Sequence, residues 1–122
     1  MHNNLVWVDI PVVDLDRAIA FYAAVLGRPV SKQGGPGFSF GLFTHEGEEV
    51  GGCLAQMPDN APATQGPLIY LNASGRIKAA VQAAVDHGGR VLNELHQIGP
   101  HGFRVVLLDS EGNRIALHSH IA

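Results

Sequence analysis

Charge, sulfur and long apolar runs are all scarce in this chain, and each shortage removes a class of protein. Cys53 is the one cysteine in 122 residues, so no internal disulfide can staple the fold and nothing calls for an oxidising compartment. Lys and Arg number 8 against 11 Asp and Glu, and the formal net charge of -3 disfavours nucleic acid, whose binding starts from a basic footprint. No apolar segment approaches the roughly 20 residues that span a bilayer. The opening MHNNLVWVDI has neither a basic start nor a long apolar run, so no signal peptide is expected. The glycine pairs at 34-35, 51-52 and 88-89 do not build G-x-G-x-x-G after a strand, which argues against a nucleotide loop. These absences point to a cytoplasmic protein with no membrane or nucleic-acid partner.

What remains is globular in character: 46% of residues are apolar and only 16% charged, too much apolar content for a disordered chain. A chain of this length buries roughly 65% of its extended surface on folding, enough for one domain without staples. The organising stretch is VWVDIPVVDLDRAIAFYAAVLG, Val6 to Gly27. Val6, Val8 and Ile10 alternate with Trp7 and Asp9, the pattern of a half-buried strand. The period then changes, and Leu15, Ala18, Ile19, Tyr22, Val25 and Leu26 form the apolar stripe of a helix. Asp14 stands at the N-cap, and Gly27 can take the left-handed conformation that ends a helix.

The second half repeats the design. In LIYLNASGRIKAAVQAAVDHGG, Leu68 to Ala73 read as a strand, Ser74 as a cap, and Ile77, Ala80, Val81, Ala84 and Val85 as a helical stripe stopped by Gly88-Gly89. Trp7 and Ile69, Leu15 and Ile77, Ala18 and Ala80, Ile19 and Val81, and Gly27 and Gly89 are each 62 residues apart, which marks two copies of one unit. After each helix come three further strand patterns. In the first copy these are Arg28–Gln33, Phe38–Thr44 and Glu49–Met57, with Gly51-Gly52 suggesting a bulge or a close backbone approach. In the second they are Arg90–Ile98, Phe103–Leu108 and Arg114–His120, with DSEGN at 109–113 as a tight turn. The expected organisation is a first βαβββ module at 1–57, a linker at 58–66 and a second module at 67–122. The fold class is α+β, a cupped mixed sheet with helices on its outer face.

The runs D-L-x-x-A-x-x-F-Y…L-G at Asp14 to Gly27 and D-x-x-G-N-x-I-x-L at Asp109 to Leu117 resemble the vicinal oxygen chelate superfamily. That group includes glyoxalases, extradiol dioxygenases and the fosfomycin- and bleomycin-resistance proteins. The likeness covers almost the whole chain, and both runs are structural rather than catalytic. It implies a divalent metal in the cup, held by His, Glu or Gln from the first and last strands of each copy. At those positions this chain has Trp7, Ile69, Ala116 and, in the first copy's last strand, Gly51 or Gly52. None offers a lone pair suited to a divalent cation, so no metal and no other cofactor is expected.

The resemblance places Trp7, Asp9, Phe40, Gln56, Leu71 and His118 in the cup as a small-molecule site. Trp7 supplies either a stacking platform or a plug where a metal would sit. An inward Asp9 needs a partner, which Arg104, Arg114, a ligand or a neighbouring subunit can supply. Asp9 with His118 can form an acid–base pair, or with His120 the start of a relocated metal site. Phe38 shares the strand face of Phe40. Tyr22 is read as core or interface, Cys53 as a buried inert thiol, and His45, His87, His96 and His101 as solvated residues of turns and element ends. The leading expectation is thus a metal-independent, small-molecule-binding protein, with a homodimer as its assembly. The alternatives are a lyase, isomerase or dioxygenase-type enzyme using Asp9 and His118, and an interaction module with a vestigial cleft.

Overall fold

Helix α1 starts where the sequence places its cap. In the computed structural model, which describes residues 3–122, the Asp14 carboxylate accepts from the Arg17 amide at 3.1 Å, satisfying one of the donors that a helix start leaves free. The helix α1 runs Leu15–Leu26 and closes at Gly27, whose φ of 67° is left-handed and whose amide donates to the Ala23 carbonyl. Ala18, Phe21, Tyr22 and Val25 on its stripe are fully buried, the three larger ones worth about 1.5–3 kcal/mol each.

The remaining elements follow the expected order. Strand β1 (Trp7–Pro11) precedes α1, and β2 (Val30–Gly35), β3 (Phe38–Phe43) and β4 (Gly51–Ala55) follow it. In the second half β5 (Ile69–Asn72) leads to helix α2 (Ile77–Asp86), then β6 (Arg90–Gln97), a 3-10 turn at Gly99–His101, β7 (Phe103–Leu108) and β8 (Arg114–Ser119). The strands make two four-stranded sheets of matching topology, β1-β4-β3-β2 and β5-β8-β7-β6. In each, the first strand runs parallel to the last and the other pairings are antiparallel.

The α+β class and the strand order stand, the mixed strands forming two four-stranded sheets with helices on one face of each. Helix α1 packs on β2, β3 and β4 and also on α2, which packs in turn on β6 and β8. Ile10 and Leu54 from the first sheet, Leu107, Ile115 and Leu117 from the second, and both helices share one core cluster. Each sheet therefore turns a second, open face away from the helices.

One local expectation is corrected and another resolved. Ser74 does not cap α2; Arg76 holds that position without a side-chain cap bond, and the Ser74 amide donates to Asn72 Oδ1 at 2.9 Å instead. The glycine pair in β4 makes no bulge, since its register with β1 is continuous. Close approach is the reason for it: a Cβ on Gly52 would lie 2.6 Å from Val8 Cγ1 and 2.8 Å from the Val8 carbonyl. The irregularity falls in β6, where the register with β7 shifts between Val91 and Asn93 and again before His96.

The turn between β7 and β8 carries more than turn geometry. Asp109, Glu111 and Asn113 are buried, and they join the halves. Glu111 accepts from the amides of Val13 and Asp14 at 2.8 and 2.7 Å and from Arg17 Nε at 2.7 Å. Asp109 accepts from the Tyr22 hydroxyl at 2.5 Å, and Asn113 donates to the Pro11 carbonyl at 2.8 Å. In the other direction Arg76 Nη1 donates to the Val25 carbonyl at 2.5 Å, covering the negative end of α1. Burial alone pushes the Glu111 carboxyl up, yet Arg17, the Asp14 amide, Ser110 and the Val13 amide outweigh it and hold its pKa at about 2. Burial, then the Asp109 charge, raises the Tyr22 hydroxyl well above the ordinary phenol value.

Candidate functional site

Strand parity decides what each open face carries. On the first sheet Trp7 pairs with Gly51, Asp9 with Cys53, Leu42 with Cys53 and Phe40 with Ala55, so these side chains share the open face while Ile10 and Leu54 face the helices. Trp7 lies over Gly51 so closely that a Cβ there would stand 2.8 Å from the indole. Its Nε1 donates to Asp9 Oδ1 at 2.9 Å, and the residue stays 44% exposed. An indole with one face on a glycine and the other in the open is a stacking platform. Phe38 and Phe40 continue it, their ring centroids 5.7 Å apart.

Asp9 finds its partners on its own sheet, and neither Arg104 nor Arg114 is among them. Besides the indole N–H it receives the Cys53 thiol, at 3.3 Å. Burial first, then the Asp9 contact, pushes that thiol up to about 11, so Cys53 is protonated and unreactive at neutral pH. Gln56 lies just past β4, exposed, and on the opposite parity from Cys53 and Ala55.

On the second sheet the 62-residue register slips by one within the strand. Leu71 and Ile69 pack partly buried against the core, and Tyr70, 45% exposed, takes the open-face position. The connection from strand to helix is one residue longer in the second half, 73–76 against 12–14, so a constant offset taken from the helices misplaces the strand. The helix end differs similarly: Gly88, not Gly89, is left-handed, at φ 95°. Gly89 is needed for space, since a Cβ there would lie 2.8 Å from the Ala84 and Leu108 carbonyls.

Around Tyr70 the open face gathers polar groups. Tyr70 pairs with Ala116, Asn72 with His118, and His118 with Arg104. The Arg104 guanidinium donates through Nη1 to the Tyr70 hydroxyl and through Nε to His96 Nε2 at 3.0 Å. Its carbon also lies 5.9 Å from the Tyr70 ring centroid. His96 is therefore no solvated end residue but a member of this cluster. His118 Nε2 donates to the His101 carbonyl at 2.6 Å, and the His118 and His120 ring centroids are 5.3 Å apart. An open groove of about 430 Å³ runs over Tyr70, Leu71, Asn72, Ile98, His101 and His118.

Of the six expected cup residues, Trp7, Asp9 and Phe40 are brought together and His118 stands on the other sheet. No hydrogen bond, ion pair or ring contact among the described residues links Asp9 with His118, so one chain does not assemble that acid–base pair. The positions implied for metal ligands hold Trp7, Ile69, Ala116 and Gly51 or Gly52, a donor set that does not fit a divalent cation. Among the described residues no group of three or more His, Cys, Asp or Glu stands where it could hold a metal ion. Sequence reasoning missed Tyr70, His96 and Arg104 as site residues. The alternation Arg104-Val105-Val106-Leu107 offered the signal for Arg104, since its neighbour Val105 faces the core.

Comparison with known proteins agrees with this fold. Residues 4–117 match the family model described as Glyoxalase/Bleomycin resistance protein/Dioxygenase superfamily. The chain is 26% identical over 126 residues to a glyoxylase-like domain-containing protein of Didymella fabae, covering 96% of this chain and 94% of that one. It is 30% identical over 118 residues to CFP32 of Mycobacterium bovis, covering 91% of this chain but only 43% of CFP32, less than half that protein's length. The crystal structure of TnmS3, an antibiotic-binding protein from Streptomyces sp. CB03234, superimposes with a TM-score of 0.71 at 20% identity, over 97% of this chain and 96% of that one. No described helix is long and apolar enough to cross a membrane.

Proposed function

The chain belongs to the glyoxalase/bleomycin resistance protein/dioxygenase superfamily, and on that premise we propose that it binds a small planar organic molecule without a metal, in a cup completed by a second copy. The observation that carries this reading is the pair of open sheet faces. Trp7 and Tyr70 are large aromatic residues left 44% and 45% exposed, each beside hydrogen-bonding groups, on sheets that no ladder joins within the chain. Exposed aromatic surface of this kind marks a binding face. A two-fold homodimer sets the first sheet of one protomer against the second sheet of its partner, so that Trp7, Asp9 and Phe40 face Tyr70 and His118 across a common hollow. TnmS3, an antibiotic-binding protein of the same fold, supports the reading.

Trp7 is the single tryptophan and reports on the hollow directly. A panel of planar aromatic compounds is expected to quench or shift its emission at saturation, with one ligand per chain, from a particle whose light-scattering mass is twice 13.0 kDa. A particle of single-chain mass, or emission untouched by every compound, would overturn the reading.

A further inference from the structure

Arg104 is a cation without a carboxylate. Among the described residues the ion pairs are Arg17–Glu111, Arg28–Glu49 and Lys32–Asp16, and Arg104 belongs to none of them. Glu94, an acid on the adjoining strand β6, forms no ion pair with it. In a chain of net charge -3, the open face of the second sheet carries Arg104, His96, His118, Tyr70 and Asn72 and no acid among its paired residues. A guanidinium hydrogen-bonded to a tyrosine hydroxyl, within cation–π range of its ring and without a carboxylate, is a half-made recognition site.

Its orientation is fixed from behind. A carbonyl can only accept, so the His96 Nδ1 that lies 2.7 Å from the Glu94 carbonyl carries the hydrogen. The other ring nitrogen is then the lone pair that receives Arg104 Nε. The Tyr70 hydroxyl accepts from Nη1. Two bonds and a ring contact hold the guanidinium plane, while Nη2 keeps its donors with no partner among the described residues. His118 is tied likewise to the His101 carbonyl through Nε2, which leaves its Nδ1 unbonded on the same face, beside the groove of about 430 Å³.

We infer that this face is an anion-recognising half-site, in which Arg104 anchors the carboxylate of a planar aromatic acid and His96 positions Arg104. The inference rests on the small-molecule reading above and adds the chemical class of ligand. One fixed positive charge matches one carboxylate, and the planar fork of a guanidinium matches carboxylate geometry. Tyr70 and the opposing Trp7 supply faces for the ring. Asp9, on the other sheet, repels a second carboxylate and sets the polarity of the ligand: acid toward Arg104, neutral or donor groups toward Asp9.

The test uses two probes that differ only in charge, 2-naphthoate and 2-naphthamide, titrated calorimetrically against the full chain, with Trp7 emission followed in parallel. Charge-assisted hydrogen bonds predict that naphthoate binds roughly tenfold to a hundredfold more tightly than naphthamide. Arg104→Gln is expected to remove that preference, so that the two probes bind alike, and Arg104→Lys to restore part of it. His96→Phe, which takes away the lone pair but keeps a ring, is expected to weaken naphthoate several-fold and spare naphthamide; equal loss for both probes would mean that His96 serves structure only and would overturn its positioning role. Equal affinity for the two probes in the native chain overturns the anion inference and leaves the small-molecule reading intact. Silence from both probes, in heat and in Trp7 emission, overturns the inference, and if the wider aromatic panel is silent too the underlying reading falls with it.

Discussion

Replacing Glu111 by Gln tests how the two halves are held, and the expected size follows from the site. The Glu111 side chain is fully buried and receives the Val13 and Asp14 amides, the Ser110 hydroxyl and the Arg17 guanidinium. Its carboxyl falls from an ordinary 4.5 to about 2, and lowering a pKa by one corresponds to about 1.36 kcal/mol in favour of the charged form. The charged state therefore contributes on the order of 3 kcal/mol at neutral pH, or somewhat less because Arg17 is half-exposed and screened. Because the folded value lies below the unfolded one, this stability is fully present above about pH 4.5 and is lost as pH falls toward 2. Urea unfolding at fixed protein concentration should place Glu111→Gln about 2–3 kcal/mol below the native chain at pH 7, which is roughly 10 °C in melting temperature. The gap should close steadily between pH 4.5 and pH 2.5, since protonated Glu and Gln are alike in charge. A gap that is the same at pH 7 and pH 3 would refute the reasoning, because the loss would then come from shape rather than from the buried charge.

Further outcomes follow from other contacts. Gly51→Ala should displace the indole that lies 2.8 Å from the new methyl, changing the native Trp7 emission and costing about 1–3 kcal/mol; unchanged emission would mean the ring does not lie over Gly51. Cys53, with its thiol raised to about 11, should react with a disulfide reagent at pH 8 roughly a hundredfold more slowly than free cysteine, and at the ordinary rate once urea unfolds the chain. In a Tyr70→Phe background, Tyr22 is the one tyrosine left, and its 295 nm phenolate band should be absent at pH 10.5 unless the protein unfolds. Asn113→Ala removes the donor to the Pro11 carbonyl and should cost about 1–3 kcal/mol, measured by the same urea method.

Local signals carried most of the architecture. Asp14 and Gly27 announce the ends of α1 because capping is a contest among neighbours in sequence, and the alternation at Trp7, Asp9 and Ile10 gives the right faces because burial is the force that sorts them. Spacing between copies is less reliable than spacing within an element. The helices keep the 62-residue offset, but one residue more between β5 and α2 turns Ile69 and Leu71 to the core and Tyr70 to the open face. Contacts over long separations were illegible. DSEGN reads as a surface turn because its residues are polar, yet Glu111 is buried by groups nearly a hundred positions away. His96 and Arg104 look solvated singly, and only the register of β6 on β7 brings them together.

The tie through Glu111 also makes the duplicated design lopsided. Where Asp14 caps the start of α1, the start of α2 is left without a side-chain cap. Each half is thus dependent on the other in a different way: the first lends amides and an arginine, the second lends the acid they neutralise. Split into separate peptides, one piece would expose a helix end stripped of its counter-charge and the other a carboxylate with nothing to answer it.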